Sequence, residues 1–211
     1  TSYGVGLLVA DALRHNCHKM IIGLGGSATS DAGIGMLRAL IDTFAPEDHF
    51  NAIRPLFDNC EVILASDVTN PLYGINGAAH VFAKQKGATS SMIEALDTRA
   101  KQFASHTKRA MGFDKSIQPG AGAAGGLGYA FMQFLNAKMQ SGAELLLHLL
   151  QFDKLLAHAD IVITGEGKSD CQTLMGKLPA VIMQHARQHH LPTLLLSGQI
   201  EDHDSLITAG F

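Results

Sequence analysis

The chain has 211 residues, of which 46% are hydrophobic and 17% charged, and its formal net charge at pH 7 is −3. This composition excludes a disordered chain, and the lack of any Lys/Arg run argues against a nucleic-acid-binding surface. No apolar run reaches the roughly 20 residues of a membrane span. The N-terminus has no basic region followed by an apolar stretch, so we expect no signal peptide. The three cysteines lack metal-ligand spacing and suit reduced thiols, so we expect a cytoplasmic protein.

Apolar periodicity predicts alternating helices and strands. In chain order we expect a helix at 6–14, a strand at 20–24, helices at 32–41 and about 48–57, a strand at 62–65, a long helix at 90–111, a helix from a glycine cluster to about 136, a helix at 145–156 that breaks near 152, a strand at 161–164, a helix at 174–188 and a strand at 193–196. Each strand is a continuous apolar run, which is typical of buried parallel strands. The sequence therefore predicts an α/β fold with a mainly parallel sheet flanked by helices.

The domain organisation is predicted from the same pattern. We place a boundary after residue 155, which gives a domain that carries the glycine loops at 1–155 and a partial α/β domain at 156–211. The chain starts at Thr1 without Met and stops just after the apolar segment 205–211, where an α/β pattern should continue into a strand. We therefore expect this sequence to be a piece of a longer protein.

The first candidate site is the segment Gly-Leu-Gly-Gly-Ser-Ala-Thr-Ser-Asp-Ala-Gly at 23–33, between a predicted strand and a predicted helix. Its glycines let backbone N–H groups approach an anion, and the helix N-terminus adds a favourable dipole. Ser27, Thr29 and Ser30 supply hydroxyl donors, and Asp31 is a candidate metal ligand or proton acceptor. The alternative is a tight turn in which Asp31 only caps the helix.

This segment also approaches the dinucleotide fingerprint through Gly23, Gly25 and Ala28. That fingerprint requires an acidic residue at the end of the next strand, roughly 20 residues on. The nearest candidate, Asp42, ends a predicted helix instead. The context therefore disfavours a nicotinamide-dependent oxidoreductase, which stays a minor alternative.

A second glycine cluster, Pro-Gly-Ala-Gly-Ala-Ala-Gly-Gly-Leu-Gly, occupies 119–128 and follows a predicted loop rather than a strand. A glycine-rich helix start either binds phosphate or allows close packing against a neighbouring backbone. The sequence leaves both interpretations open.

The third candidate is Gly-Glu-Gly-Lys-Ser-Asp at 165–170, directly after a predicted strand. It is not a Walker phosphate loop, because that loop needs glycine where the chain has Val162. Glu166 and Asp170 are then two acids at the C-terminal end of a parallel strand, where ligand sites of α/β proteins form. Paired carboxylates there suit Mg²⁺ or a hydroxyl proton; the alternative is a solvated acidic loop.

Two further candidates come from single residues. Asp67 directly follows the strand at 62–65, although the neighbouring Asn70-Pro71 pair is explained by a turn. Lys86 is a candidate to neutralise a carboxylate or phosphate, or is a solvated surface residue. Histidines near residues 15–18 and at 189–190 have no third partner at metal spacing, so we expect no zinc site.

Taken together, the motifs resemble those of type I glycerate kinases, and they span essentially the whole chain. They are Thr-Ser-Tyr-Gly at 1–4, Gly-Gly-Ser-Ala-Thr-Ser-Asp at 25–31, Asp-Val-Thr-Asn-Pro-Leu at 67–72, Gln-Lys-Gly-Ala at 85–88, the cluster at 119–128, and Gly-Glu-Gly at 165–167 with Asp170, Gln172-Thr173 and Gly176-Lys177. The chain departs from the family at Ser30, usually Asn, and at Ala32, usually Gly. Alanine is tolerated there if its φ is negative.

The resemblance implies a two-domain kinase with an interdomain cleft, whose second domain is flavodoxin-like, and residues beyond both ends of this chain. It implies ATP and Mg²⁺ as cofactors, and transfer of the γ-phosphoryl group to D-glycerate, giving 2-phosphoglycerate. The expected partners are glycerate and ATP, without nucleic acid or membrane, and the chain alone is expected to be inactive. The alternative is a non-catalytic nucleotide- or anion-binding module.

The residues chosen for this chemistry fall into three groups. The candidate catalytic residues are Asp170, Asp31, Asp67, Lys86 and Lys177. The candidates for contact with ATP phosphates are Gly25, Gly26, Ser27, Thr29, Gly120, Gly122, Gly125 and Gly126. The candidates for metal binding are Glu166 and Asp170.

Overall fold

A computed structural model describes residues 1–45 and 52–211. These residues form two compact units, 1–140 and 141–211. The boundary predicted after residue 155 falls inside the second unit, because helical residues before it pack there: Ala143 and Leu147 contact Val181. Both units combine helices with parallel strands, as expected from the sequence.

The first unit is an α/β arrangement around a three-stranded sheet. Its elements are α1 (Tyr3–Arg14), β1 (Lys19–Gly23), α2 (Ile34–Phe44), a 3₁₀ turn (Arg54–Phe57), β2 (Glu61–Ala65), a π-helical turn (Ala79–Ala83) that continues as a 3₁₀ turn (Lys84–Lys86), α3 (Ser90–Met111), α4 (Ala123–Phe134) and β3 (Lys138–Gln140). The strands lie in the order β1-β2-β3 and are all parallel. In the register, Ile21 lies beside Ile63, and Leu64 beside Met139.

The core of this unit lies between the sheet and its helices. Strand β2 is buried at Val62–Leu64, as a continuous apolar run requires. Helix α4 is buried along almost its whole length. Helices α1 and α2 approach closely because α1 has Gly6, where a Cβ atom would meet the backbone of Met36. This packed core therefore supports the carboxyl end of the sheet, where the glycine loop begins.

Three predictions for this unit need correction. Helix α2 starts at Ile34, because Ala32 and Gly33 both have positive φ. The sequence missed the helical turns at 79–86 and strand β3, which has only three residues. The helix expected at about 48–57 lies partly outside the described residues, and its described end, Arg54–Phe57, is a 3₁₀ turn.

The second unit contains a two-stranded parallel sheet. Its elements are α5 (Gly142–Leu149), α6 (Phe152–Leu156), β4 (Val162–Ser169), a 3₁₀ turn (Thr173–Met175), α7 (Leu178–Gln188), β5 (Thr193–Ile200) and α8 (His203–Ala209). Helix α7 contributes Ala186 and Val181 to two small apolar clusters. The break expected near 152 separates α5 from α6.

Both strands of this unit are longer than expected. The glycines at 165 and 167 were predicted to end the strand, because glycine is depleted in strands. Instead Gly165 pairs with Leu196 and Glu166 with Ser197, so the ladder with β5 carries β4 to Ser169. Glu166 therefore lies within the strand, and only Asp170 follows it. Among the described residues, no helix combines the length and apolar character needed to cross a membrane.

Candidate functional site

The glycine loop begins at the carboxyl edge of the three-stranded sheet. Leu24, the first residue after β1, donates its N–H to the carbonyl oxygen of Ala65 at 3.0 Å. Ser66, the first residue after β2, donates its N–H to the carbonyl oxygen of Gln140 at 3.0 Å. The loops that follow β1 and β2 therefore leave the sheet side by side, at the edge where ligand sites of parallel sheets form.

The glycine loop leaves its backbone accessible at Gly25 and Gly26. A Cβ atom built at either position would contact nothing within 4 Å, and both residues are exposed. Beside them lies a cavity of about 160 Å³, lined by Leu24, Gly25, Gly26, Ser27, Phe82 and Lys86 among others. An approaching ligand could thus reach the backbone amides, as the sequence predicts, and contact with phosphate stays a prediction.

Lys86 is fixed against this loop from a distant part of the chain. Its Nζ donates to Ser27 Oγ at 2.9 Å and to the carbonyl oxygen of Thr29 at 2.7 Å. Partial burial lowers the pKa of Lys86. The 3₁₀ turn Lys84–Lys86 positions this side chain, and Gly87 ends the turn with a φ of 90°. The structure thereby brings together Lys86, Ser27 and Thr29, which the sequence proposed separately.

Asp31 ties the glycine loop to the start of α1. Its Oδ2 accepts hydrogen bonds from the Ser2 N–H at 2.8 Å and from Ser2 Oγ at 2.9 Å, while its Oδ1 accepts from the Gly33 N–H at 3.1 Å. Burial alone would raise the pKa of Asp31, but bonds from Ser2, Gly33 and Gly35 outweigh it and lower that pKa. Asp31 is not the N-cap residue of α2, which is Gly33.

Sequence reasoning assigned no role to Ser2, although it noted the motif at 1–4. Ser2 is 1% exposed, and its hydroxyl also accepts the N–H of Met36 at 2.9 Å. One small side chain therefore joins the starts of α1 and α2 to Asp31. The only signal for it in the sequence was its membership of that motif.

Ala32 does not meet the condition under which alanine would replace glycine without strain. Its φ is +54°, in the left-handed region, and the next residue, Gly33, has a φ of +75°. This region costs an alanine roughly 1 kcal/mol. A hydrogen bond from the Ala32 N–H to the Gly125 carbonyl oxygen at 3.0 Å holds the conformation.

The second glycine cluster packs against the backbone of neighbouring loops. A Cβ atom at Gly125 would meet the carbonyl oxygen of Thr29, and one at Gly122 would meet that of Pro71. At Gly126 it would lie 2.8 Å from the Cα atom of Ala32, and at Gly120 it would meet the Met139 side chain. Close packing against backbone thus explains Gly122, Gly125 and Gly126, whereas Gly120 is explained by its φ of 86°. The first loop rests on the second through Gly125. Contact of these four glycines with phosphate stays a prediction.

The two predicted acids of the second unit, Glu166 and Asp170, form a cluster with Ser169, Thr173 and Lys177. Glu166 Oε1 accepts hydrogen bonds from Ser169 Oγ at 3.1 Å and from Thr173 Oγ1 at 2.5 Å. Lys177 Nζ lies 3.9 Å from Glu166 Oε2 and 3.9 Å from Asp170 Oδ1. The side chains of Glu166 and Asp170 are 18% and 16% exposed. The structure therefore brings three predicted residues, Glu166, Asp170 and Lys177, together in this unit.

The donor groups of this cluster fit Mg²⁺ better than zinc. In the part of the chain that the structure describes, no three His, Cys, Asp or Glu side chains are grouped to hold a metal ion. Mg²⁺ is usually bound by one or two carboxylates together with substrate phosphates and water. Glu166 and Asp170 supply such a pair. Asp67 belongs to the first unit, where it is exposed in the loop beyond β2.

Comparison with known proteins gives one consistent family. A sequence model of the glycerate kinase family matches residues 1–51 and 45–211. The glycerate 2-kinase of Escherichia coli (strain K12) is 38% identical over 219 residues, which cover 96% of this chain and 58% of that protein. The glycerate kinase of Bacillus subtilis (strain 168) is 36% identical over 217 residues, which cover 95% and 57%. The chain thus spans less than three fifths of these curated relatives.

A solved structure agrees with this result. It comes from Salmonella typhimurium LT2, is provisionally named glycerate kinase 2, and is 34% identical to this chain with a TM-score of 0.76. The similarity covers 99% of this chain and 65% of the solved one. On the evidence of the parallel α/β fold and of a match along nearly every residue, the chain belongs to the glycerate kinase family.

Proposed function

We propose that this chain carries the phosphate- and substrate-handling part of an ATP-dependent glycerate kinase, which transfers the γ-phosphoryl group of ATP to D-glycerate. The observation that carries the proposal is Lys86, held on an open glycine loop by Ser27 and Thr29, in a chain of this family. Phosphoryl transfer needs mainly positioning and neutralisation of charge, and little covalent work by the protein. A fixed cation beside two exposed glycines, Gly25 and Gly26, meets that need.

The glycine loop binds a phosphate group in this proposal. An ammonium group has three N–H donors, and Lys86 directs two of them at Ser27 and Thr29. The third is left for an anionic oxygen, together with the amides of Gly25 and Gly26. The packed glycines Gly120, Gly122 and Gly126 are less suited to touch phosphate themselves, whereas Gly125 both packs against Thr29 of this loop and lines the cavity beside it.

The reaction requires a proton acceptor as well as a cation. The oxygen of a glycerate hydroxyl group bonds to the γ-phosphorus, the bond from that phosphorus to the bridging oxygen of ADP breaks, and the hydroxyl proton leaves to a base. Asp170 and Asp67 are the candidates for the base, and Asp67 takes that role where Asp170 holds Mg²⁺, because a carboxylate bound to a metal ion is a poorer proton acceptor. Asp31 already accepts hydrogen bonds on both oxygens from its own chain, which suits a positioning role.

In the second unit, the single positive charge of Lys177 partly offsets the two negative charges of Glu166 and Asp170. Glu166 and Asp170 would hold Mg²⁺, which neutralises phosphate charge when bound. Lys177 lies near both carboxylates and would neutralise either them or the moving phosphoryl group. The name of the Escherichia coli relative, glycerate 2-kinase, supports transfer to the 2-hydroxyl group. Because the reaction consumes ATP, we place the protein in the cytoplasm.

An ADP-release assay on the full-length protein tests this proposal. With D-glycerate, ATP and Mg²⁺, we expect ADP release that depends on glycerate and stops when EDTA is added. Phosphorus NMR of the product should show 2-phosphoglycerate rather than the 3-isomer. Binding of ATP without glycerate-dependent turnover would contradict the proposal and favour a non-catalytic nucleotide-binding module.

A further inference from the structure

Thr173 is a buried residue whose hydroxyl group joins Glu166 to Asp170 in the second unit. Its exposed fraction is 0%, and it begins the 3₁₀ turn after Asp170. Its Oγ1 donates to Glu166 Oε1 at 2.5 Å and accepts the backbone N–H of Asp170 at 3.1 Å. A hydroxyl group has a single proton. Because Thr173 donates that proton to Glu166, the orientation of its hydroxyl group is fixed.

The orientation of the Glu166 carboxylate follows from these donors. Ser169, also 0% exposed, donates to the same Oε1 at 3.1 Å. Two buried donors on one oxygen turn the other oxygen, Oε2, toward Lys177 Nζ at 3.9 Å. Without its donors, the carboxylate on this strand would rotate among several rotamers.

Asp170 is held by the same hydroxyl through its backbone. Its Oδ1 accepts the N–H of Gln172 at 2.9 Å, and its own N–H is bonded to Thr173. The bond from the Asp170 N–H to the Thr173 side chain resembles one half of a helix capping box, in which a side chain three residues on accepts the backbone N–H at the start of the turn. Thr173 therefore orients the side chain of Glu166 and holds the backbone of Asp170 through hydrogen bonds.

We propose that Thr173 is a positioning residue that sets the divalent-metal affinity of the Glu166–Asp170 pair. The inference rests on the proposed function, in which that pair holds Mg²⁺. Partners that orient metal ligands typically change metal affinity about 10–100-fold when they are removed. Thr173 has the geometry of such a partner, since it contacts both ligands and is shielded from water.

The test compares two substitutions in the full-length protein. Thr173→Val keeps the shape and removes the hydroxyl group, whereas Thr173→Ser keeps the hydroxyl group and removes the methyl group. Titration with Mn²⁺ alone, followed by electron paramagnetic resonance, reports metal affinity without turnover. We expect Thr173→Val to weaken Mn²⁺ binding about 10–100-fold, and Thr173→Ser to stay within about threefold of the wild type, well below that range. The Mg²⁺ concentration for half-maximal ADP release should rise in parallel.

Each other outcome has a distinct meaning. Unchanged Mn²⁺ affinity in Thr173→Val would overturn the inference. A loss of affinity in Thr173→Ser as large as that in Thr173→Val would also overturn it, because the effect would then come from the methyl group. If Thr173→Val does not fold, Thr173→Cys, a weak donor of similar size, should show an intermediate loss, and wild-type affinity there would overturn the inference. No binding of Mn²⁺ alone by the wild type would overturn this inference, and no binding with ATP present as well would overturn the Mg²⁺ role. Normal binding without glycerate-dependent turnover would overturn only the proposed function.

Discussion

Two glycines that look alike in the sequence, Gly25 and Gly122, differ in their surroundings. Gly25 has no atom within 4 Å of where its Cβ would lie, whereas a Cβ at Gly122 would meet the carbonyl oxygen of Pro71. Neither has a positive φ. The first therefore leaves room for a ligand, and the second leaves room for the chain's own backbone.

This difference predicts that substitution by alanine affects stability at Gly122 and ligand binding at Gly25. Gly122→Ala should destabilise the fold by about 1–3 kcal/mol, because the backbone must move to admit the methyl group. Gly25→Ala should change stability by no more than about 0.5 kcal/mol, yet raise the KM for ATP or glycerate, because the methyl group projects toward the approaching ligand. Thermal melting and steady-state kinetics separate the two. Equal loss of stability in both variants would contradict the assignment.

Single residues also show where prediction from sequence ends. The hydroxyl groups and glycines of the loop at 25–31 were identified, because strand, glycine run and helix are adjacent in the chain. The bond from Lys86 to Ser27 joins residues 59 positions apart, and the bond from Ser2 to Asp31 joins residues 29 apart. No local pattern encodes such contacts. They appear only when the helices and strands have packed.

At the scale of elements, one histidine joins three helices of the second unit. His185 of α7 places Nδ1 2.8 Å from Asp153 Oδ1 of α6, and Nε2 3.1 Å from Glu144 Oε2 of α5. His189 Nε2 also lies 3.4 Å from Asp153 Oδ1. Ionised carboxylates only accept hydrogen bonds, so both bonds of His185 need the doubly protonated, cationic ring. The bond to Asp153 outweighs partial burial and raises the pKa of His185.

The stability of the second unit should therefore depend on pH. The raised pKa means that the contribution of His185 is complete below its ordinary pKa of about 6.5 and is lost as pH rises through the folded-state value. Because Glu144 and Asp153 are 53% and 57% exposed, we expect the contribution to be about 1 kcal/mol at most. Urea unfolding followed by circular dichroism should show His185→Gln less stable than wild type in mild acid and similar to it in mild base.

The matched control for this prediction is His148→Gln. His148 is exposed on α5, one turn after Glu144. Its substitution should leave the pH profile of unfolding unchanged. A difference between wild type and His185→Gln that stays constant across the pH range would show that the ring packs there without carrying charge.

Strand β4 shows why element boundaries were harder to predict than element types. The glycines at 165 and 167 looked like a loop, and the strand was expected to end before them. Pairing of Gly165 with Leu196 and Lys168 with Gln199 carries the strand further. Pairing with β5 thus outweighs the low strand propensity of glycine. As a result, Glu166 lies in the strand and not in a loop.

At the scale of the whole molecule, the α/β class and the order of the main elements were predictable from apolar periodicity. The run Val62–Leu64 in β2 is buried, as its continuous apolar pattern predicts, whereas apolar residues of β1, β4 and β5, among them Ile21, Ile163 and Leu196, are exposed. The division at residue 140 was not predictable, since no change of composition marks it. The motifs pointed to the family because they are ordered along nearly the whole chain, which the family match confirms.

The central claim, that Lys86 and the glycine loop handle phosphate in a glycerate kinase, is tested most directly by two lysine substitutions. Lys86→Ala removes the cation bonded to Ser27 and Thr29, while Lys84→Ala removes an exposed lysine two positions earlier on the same turn. In glycerate-dependent ADP release by the full-length protein, we expect Lys86→Ala to lower kcat/KM about 10²–10³-fold and Lys84→Ala to leave it near wild type. Equal activity of both variants, with both folded, would contradict the account.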